Sequence, residues 1–428
     1  MKEEEVLKKT VIFQHLGVKD VSLLIFVLLS GLLLPRTCFP ADEVNVNVRR
    51  ITDRIEVYNI EGLQSTNIIV IDSDKGLVVI DSEVSPVFAE AIRKKIEDTH
   101  SGKRIQYLIN THDHGDHTYG NQAFADAAII GHERCREEMI KNQANAKQTA
   151  GQITNVLKAM KMKLESIDKN SDEAAKLKKT IAYYAPIATG LRENFVLTPP
   201  EITFSDKLHL YLGDLTLSLI YYGYSHSASD IVIFCPEEKL LVTGDLFYEN
   251  DEPYFDSERI PYIGRWIQTL EKLLADTSKI QHIVPGHGEL LPVSLLEENL
   301  KIISAKQKEF EGKESAFFEF KKVYETEGLE ASIRKMKELR SDPKHYYFLH
   351  PEFDTFTYRL MNQDKLTDAL ELFKVLAEFF PESYIAFDSL GEVYLHKGDK
   401  ENAKKCFGKS LELNPDNENA KNKLKEIK

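Results

Sequence analysis

Residues 111 to 117 read THDHGDH and follow directly on the apolar run IQYLIN. Three histidines and two aspartates in seven positions are side chains that bind divalent metals through nitrogen and oxygen. A merely solvated turn would draw on Ser, Asn, Gly and Lys instead. This block constrains the fold more than any other stretch, because a metal needs further ligands that the chain must bring from elsewhere. His112 and His114 are two apart, so an extended backbone turns both imidazoles to one side. Gly115 then permits a sharp turn that aims Asp116 and His117 at a second point.

Three more candidates lie downstream: His226 in YYGYSHSASD, Asp245 in LLVTGDLF and His287 in HIVPGHG. Each follows an apolar β run and is expected at a strand's C-terminal mouth, where loops converge. Six terminal N/O ligands and one carboxylate able to bridge make two adjacent sites for a borderline divalent metal. No cysteine is offered to them. Asp245 after Gly244 would, taken singly, be a plain turn residue, whereas His287 between two glycines is hard to explain as packing. His132, His209 and His282 lack such surroundings and read as ordinary core or surface histidines.

The runs IEVYNI, TNIIVID and GLVVID are β-branched segments separated by turn residues, as expected of a meander. PVFAEAIRKKIEDTH has helical spacing, and IQYLIN is a further strand. A second set comprises LHLYL, TLSLIYY, IVIFC and KLLVTG, the helix GRWIQTLEKLLAD and the strand QHIV. Two strand sets with interspersed helices imply an α/β sandwich, two sheets face to face with helices outside. Residues 134–190 between the sets are rich in Lys, Glu, Ala and Met and read as two or three amphipathic helices.

These motifs, in this order, resemble the metallo-β-lactamase-fold hydrolases across roughly residues 45 to 310: Asp81 in VVIDS, the HDHGDH block, His226, Asp245 and His287. The resemblance implies an αββα sandwich. It assigns His112, His114 and His226 to a first metal, and Asp116, His117 and His287 to a second. Asp245 would bridge them, and Asp81 would hold the HDHGDH loop from behind. One departure is Ser229, where the family usually has glycine.

The same resemblance narrows the chemistry. Dedicated β-lactam-hydrolysing members carry Cys or Ser where this chain has Asp245, and aspartate there is similar to the glyoxalase II and lactonase branches. Diiron oxygen-reducing relatives place glutamate at the His114 position, so two zinc ions are expected, with iron as the alternative. Such a pair shares a water whose pKa falls toward about 7 and delivers it as hydroxide to an ester, thioester, lactone or similar bond. Asp116 is the candidate catalytic side chain that orients it. A β-lactamase or an iron thiol dioxygenase of the same fold is the alternative within the family. Met160, Met162, Tyr183 and Tyr184 of the insert are candidate walls of a substrate pocket, and YENDEPYFDSE after Asp245 is a candidate rim.

The C-terminal end is a different, all-α module. Ala369 and Ala403, Phe373 and Phe407, and Pro381 and Pro415 repeat at a spacing of 34. Leu390, Gly391, Tyr394, Ala403, Phe407 and Pro415 fit the tetratricopeptide pattern, and residues 350–383 are a looser copy. Such a tail implies a protein partner or self-association. A reading from another class takes the whole chain as a tetratricopeptide interaction protein with a metal-binding scaffold domain; intact candidates at all seven ligand positions favour the hydrolase. The expected divisions are a leader or anchor at 1–41, a catalytic domain at 42–312, a helical linker at 313–349 and repeats with a capping helix at 350–428.

A net charge of −13 spread along 428 residues argues against binding nucleic acid or anionic lipid, which needs clustered Lys and Arg. The four cysteines are scattered and read as buried thiols. Residues 21–34, VSLLIFVLLSGLLL, form a charge-free apolar run after Lys8, Lys9 and Lys19, ended by Pro35. Its length suits the core of an export signal better than a membrane span. A periplasmic or secreted protein is expected, with an uncleaved membrane anchor as the alternative. Mass spectrometry of protein from its native host should find an N-terminus near residue 42. Met1 in a soluble cytoplasmic fraction would contradict export.

Overall fold

A computed structural model describes residues 44–61, 65–247, 255, 259–275 and 277–427. The apolar run 21–34, and residues 248–258 apart from Phe255, lie outside the described residues. Among the described residues no helix is long and apolar enough to cross a membrane. The chain divides into two compact units with a boundary between residues 308 and 309.

In the first unit, Ile68–Ser73 and Gly76–Ile80 show why the sheet must be covered twice. Ile69, Ile71, Val78 and Ile80 point into one apolar cluster, while Ile68, Val70, Leu77 and Val79 point into another. Alternate residues of a strand face opposite sides, so a strand apolar at every position demands cover on both. Four antiparallel strands open the sheet: β1 (Val46–Arg50), β2 (Ile55–Ile60), β3 (Ile68–Ser73) and β4 (Gly76–Ile80). Helix α1 (Pro86–Thr99) follows, with Ser85 accepting from the Phe88 amide as N-cap and Pro86 opening the first turn. Then β5 (Ile105–Ile109) pairs parallel to β4 and leads into the single helical turn α2 (Gly115–Thr118).

The sheet continues in parallel through β6 (Ala128–His132), and past helices α3 (Glu133–Lys141), α4 (Asn145–Ser166) and α5 (Asp172–Glu193) to β7 (Ile202–Phe204). The second sheet holds β8 (Lys207–Tyr211), β9 (Thr216–Tyr221), β10 (Ile231–Cys235), β11 (Leu240–Gly244) and β12 (His282–Pro285). Only its β11–β12 pairing is parallel. Helices α6 (Ile263–Leu274) and α7 (Ser294–Phe310) are the remaining α-helices described in this part of the chain. Leu217, Leu219, Ile231, Ile233 and Val242 of the second sheet meet Ile69, Ile71, Val78 and Ile80 of the first.

Strands β6 and β7 are absent from the sequence pattern. AIIG offers a short apolar run and ITF only three residues, below the length at which alternation is readable. The insert forms three helices. Its Ala146, Ala150, Ile153 and Leu157, spaced on one face of α4, join Tyr183, Tyr184 and Ile187 of α5 and Phe88 and Ile92 of α1. Met160 is buried, but Met162 is 58% exposed, so Met162 is not a pocket wall.

The second unit is helical: α8 (Ala316–Glu327), α9 (Leu329–Arg340), α10 (His350–Asn362), α11 (Leu366–Phe379), α12 (Tyr384–His396), α13 (Lys400–Leu413) and α14 (Glu418–Glu426). Phe317, Phe320, Met336 and Leu339 of α8 and α9 share one apolar cluster with Phe353, Phe356 and Phe373. Ala369, Phe373, Ala403 and Phe407, the residues repeated at a spacing of 34, are all fully buried. A Cβ on Gly391 would stand 2.8 Å from the Phe407 ring, so α12 and α13 approach as closely as glycine allows. A polar ladder adds to this packing. Asn417 donates to Asp388 (2.9 Å), Asn419 to Glu392 (3.0 Å), and the Tyr358 hydroxyl to Glu392 (2.9 Å).

Phe407→Ala should cost the second unit about 3–5 kcal/mol. Calorimetry should show a lowered transition for that unit. Metal binding should not change, since every candidate ligand lies in the other unit.

Candidate metal centre

Strand β4 delivers Asp81 to the sheet's mouth in a left-handed backbone conformation (φ 62°), one that non-glycine residues adopt uncommonly. Its fully buried carboxylate accepts three hydrogen bonds. The Thr111 amide donates to Oδ1 (2.8 Å), the Thr111 hydroxyl to Oδ2 (2.8 Å) and His117 Nδ1–H to Oδ2 (2.8 Å). With its proton committed to Asp81, the Thr111 oxygen is left to accept from His112 Nδ1–H (3.1 Å). Nδ1 of both imidazoles is thereby engaged, which turns Nε2 of each toward the ligand cluster. His112 Nε2 and His117 Nε2 are buried and make no hydrogen bond.

Two groups of ligand atoms result. His112, His114 and His226 offer nitrogens within 4.8 Å of one another, and Asp116, His117, Asp245 and His287 do the same. His114 Nδ1 and His226 Nε2 stand 3.1 Å apart. His287 Nε2 lies 3.1 Å from Asp116 Oδ2. Asp245 stands between the groups, with Oδ1 3.4 Å from His117 Nε2 and Oδ2 3.8 Å from His226 Nε2 and 3.6 Å from His287 Nε2. All seven residues singled out by spacing are thus brought together, with Asp81 directly behind them. His132 stays apart: it stacks on Tyr221 at 3.8 Å and donates to the Ser205 carbonyl. Gly115 has no unusual backbone angle, but the Tyr119 ring covers it too closely for a Cβ.

Several supports were invisible in the sequence. Thr66 donates to the Asp116 carbonyl (2.8 Å). The Asn67 amide donates to Gly286 O (2.7 Å), and its side chain clasps Pro285 O (3.0 Å) and Gly288 O (2.9 Å). His287 Nδ1–H donates to the Ser65 carbonyl (3.3 Å), which turns Nε2 toward the cleft. A Cβ on Gly286 would overlap Asp245 Oδ1, so only glycine lets β12 pass this close. Arg259 donates to the His226 carbonyl (2.7 Å).

Burial sets the electrostatics. Desolvation, joined by neighbouring imidazoles, holds His112 and His226 well below the usual histidine range, so both are neutral donors at pH 7. Burial acts the same way on His117 and His287, but Asp245 and Asp116 outweigh it; His117 is held well above its usual range and His287 is pushed up to about 10. Against their own burial, these imidazoles hold Asp116 and Asp245 below the ordinary carboxylate range. Burial pushes Glu83 up to about 7, and Tyr183 from the insert is raised by burial and then by Glu83 and Asp116. A buried imidazole lone pair at His112, further imidazoles and two carboxylates, with no thiolate, make a donor set that fits borderline divalent cations.

The family model described as the Metallo-beta-lactamase superfamily matches residues 62–287. The chain belongs to that superfamily. A tetratricopeptide repeat model matches residues 386–417 of its tail. The metallo-beta-lactamase type 2 of Bacteroides fragilis is 29% identical over 108 residues, which is 25% of this chain and 43% of the relative. The chain therefore spans less than half of that relative's length. The metallo-beta-lactamase type 2 of Bacillus sp. (strain 170) is 21% identical over 265 residues, 61% of this chain and 80% of the relative. Among solved structures, DIM-1 metallo-beta-lactamase gives a TM-score of 0.45 at 17% identity, covering 62% of this chain and 100% of that one. A metallo-beta-lactamase from Pontibacter korlensis gives 0.44 at 16%, covering 61% and 99%.

Asp81→Ala should lower metal affinity about 10- to 100-fold, because it frees the Thr111, His112 and His117 orientations together. Competition with a chromophoric chelator measures this. Wild-type affinity in a folded variant would show that the carboxylate does not orient the ligands.

Proposed function

We propose that the chain is an exported, dinuclear zinc hydrolase acting on carboxylic ester-like bonds: esters, thioesters or lactones. The observation that carries this reading is Asp245, a buried carboxylate that lies within 3.8 Å of an imidazole of the first group (His226) and within 3.4 and 3.6 Å of two of the second (His117 and His287). His112, His114 and His226 would hold the first zinc, and Asp116, His117 and His287 the second, with Asp245 shared. When bound, such a pair supplies a water ionised near neutral pH and an electrophile for the substrate carbonyl.

The chain's own residues do the rest. Asp116, braced through its carbonyl by Thr66, presents a carboxylate oxygen at the cleft that can orient the attacking water. Burial of His112, His117 and Asp245 keeps bulk water from competing. The chemistry requires no serine or cysteine nucleophile. Tyr183, which comes from the insert and packs against Phe88 and Tyr184, is the proposed apolar wall. A small-molecule substrate with an apolar acyl or alcohol portion suits that wall. The repeat tail is proposed to take a protein partner or a second copy, and the apolar run 21–34 to direct export.

β-Lactam hydrolysis is the second reading, favoured by the names of the relatives. A panel of chromogenic esters, thioesters, lactones and cephalosporins, tested with zinc-loaded protein, separates the two. Turnover of an ester-like substrate is expected, with little or none of the cephalosporins. Asp116→Ala and Asp245→Ala should each cost about 100-fold or more. Efficient cephalosporin turnover with inactivity on every ester, thioester and lactone would favour the second reading. Oxygen consumption with a thiol and iron in the site would point to the oxygenase alternative.

A further inference from the structure

We propose that Ser229 is a positioning residue that locks the three-histidine group, joining the two loops that carry its ligands. This rests on the dinuclear reading above. Ser229 is fully buried in the loop between His226 and β10. Its hydroxyl closes a two-bond ring with Asp113. The Asp113 amide donates to Ser229 Oγ (3.0 Å), and the Ser229 hydroxyl donates to Asp113 Oδ1 (2.6 Å). Asp113 lies between His112 and His114, so holding its backbone and its carboxylate restrains the main chain from which both imidazoles project.

The other end of the lock is tied to His226. The Ser229 amide donates to Ser227 Oγ (3.1 Å), and the Ser227 hydroxyl donates to Asp230 Oδ1 (2.8 Å). The Ser227 amide donates to Asp230 Oδ2 (2.6 Å), and Ser227 is the next residue after His226. The Ile231 amide reaches back to the Thr111 carbonyl (2.9 Å), so the two loops are stitched a second time just beyond Ser229. The Ser229 hydroxyl thus joins the segment carrying His112 and His114 to the loop carrying His226, beside the Thr111 contact to His112 and the Arg259 contact to the His226 carbonyl. Glycine at this position would carry neither bond to Asp113.

The second group is held by other means: Asp81 on His117, Thr66 on Asp116, Ser65 on His287, and Asn67 on the β12 turn. None of these bonds involves Ser229. Its removal should therefore weaken one metal site and spare the other. A lost support of this kind costs about 10- to 100-fold in metal affinity.

The test uses full-length protein and zinc, titrated against a chromophoric chelator, with the absorption of the cobalt(II) form as a spectroscopic readout. Ser229→Ala and Ser229→Gly should each weaken one of two metals about 10- to 100-fold and change the cobalt bands of that site alone. Asp113→Ala, which keeps the amide bond, should give a smaller loss, and adding it to Ser229→Ala should cost nothing more. Should Ser229→Ala not fold, Asp113→Ala decides by the same readout. Unchanged affinities in folded variants, or equal weakening of both metals, would overturn the lock. Wild-type protein taking up a single metal would overturn the dinuclear reading instead. The lock would then stand or fall on that one metal's affinity in the same variants.

Discussion

A single buried carboxylate organises the cleft. Asp81 accepts from the Thr111 amide, the Thr111 hydroxyl and His117 Nδ1–H, and through the Thr111 oxygen it also determines how His112 is oriented. Its left-handed backbone is a cost that the surrounding sheet sustains. Two imidazoles therefore point Nε2 at the cleft before any ion arrives, and an ion binding there need not pay to order them. The rest of the unit keeps that carboxylate dry and in place. β4 and β5 run parallel beneath it, and the apolar faces of both sheets close around it.

The arrangement also explains why the ligands are so far apart in sequence. β5, β9, β11 and β12 each end in a loop, and the groups at those ends converge only because the sheets pack face to face. In the metal-free chain, His117 and His287 serve as counter-charges to Asp116 and Asp245. A divalent cation can take over that role, displacing the protons that the two imidazoles hold.

Residue spacing made the ligands themselves legible. Three histidines and two aspartates after an apolar strand are rare, and His226, Asp245 and His287 each follow a β run in the same way. The braces could not be read. Ser65, Thr66 and Asn67 act on residues far along the chain, and Ser229 acts on Asp113, with ordinary polar side chains that carry no local pattern. Ser229 was visible only as a departure from an expected glycine. Periodicity found the insert's helices because their apolar faces recur every three to four residues. It could not tell that Met162 faces solvent while Met160, two positions earlier, is buried. The tail was readable from its 34-residue spacing, since the same small and large residues recur wherever α12 and α13 repeat the contact of α10 and α11.

The central claim is that two metal ions share Asp245. Anomalous diffraction at the zinc edge from zinc-saturated crystals tests it most directly. Two peaks are expected, one among His112, His114 and His226 and one among Asp116, His117 and His287, with the Asp245 carboxylate between them. A single peak, or none at these side chains, would contradict the account.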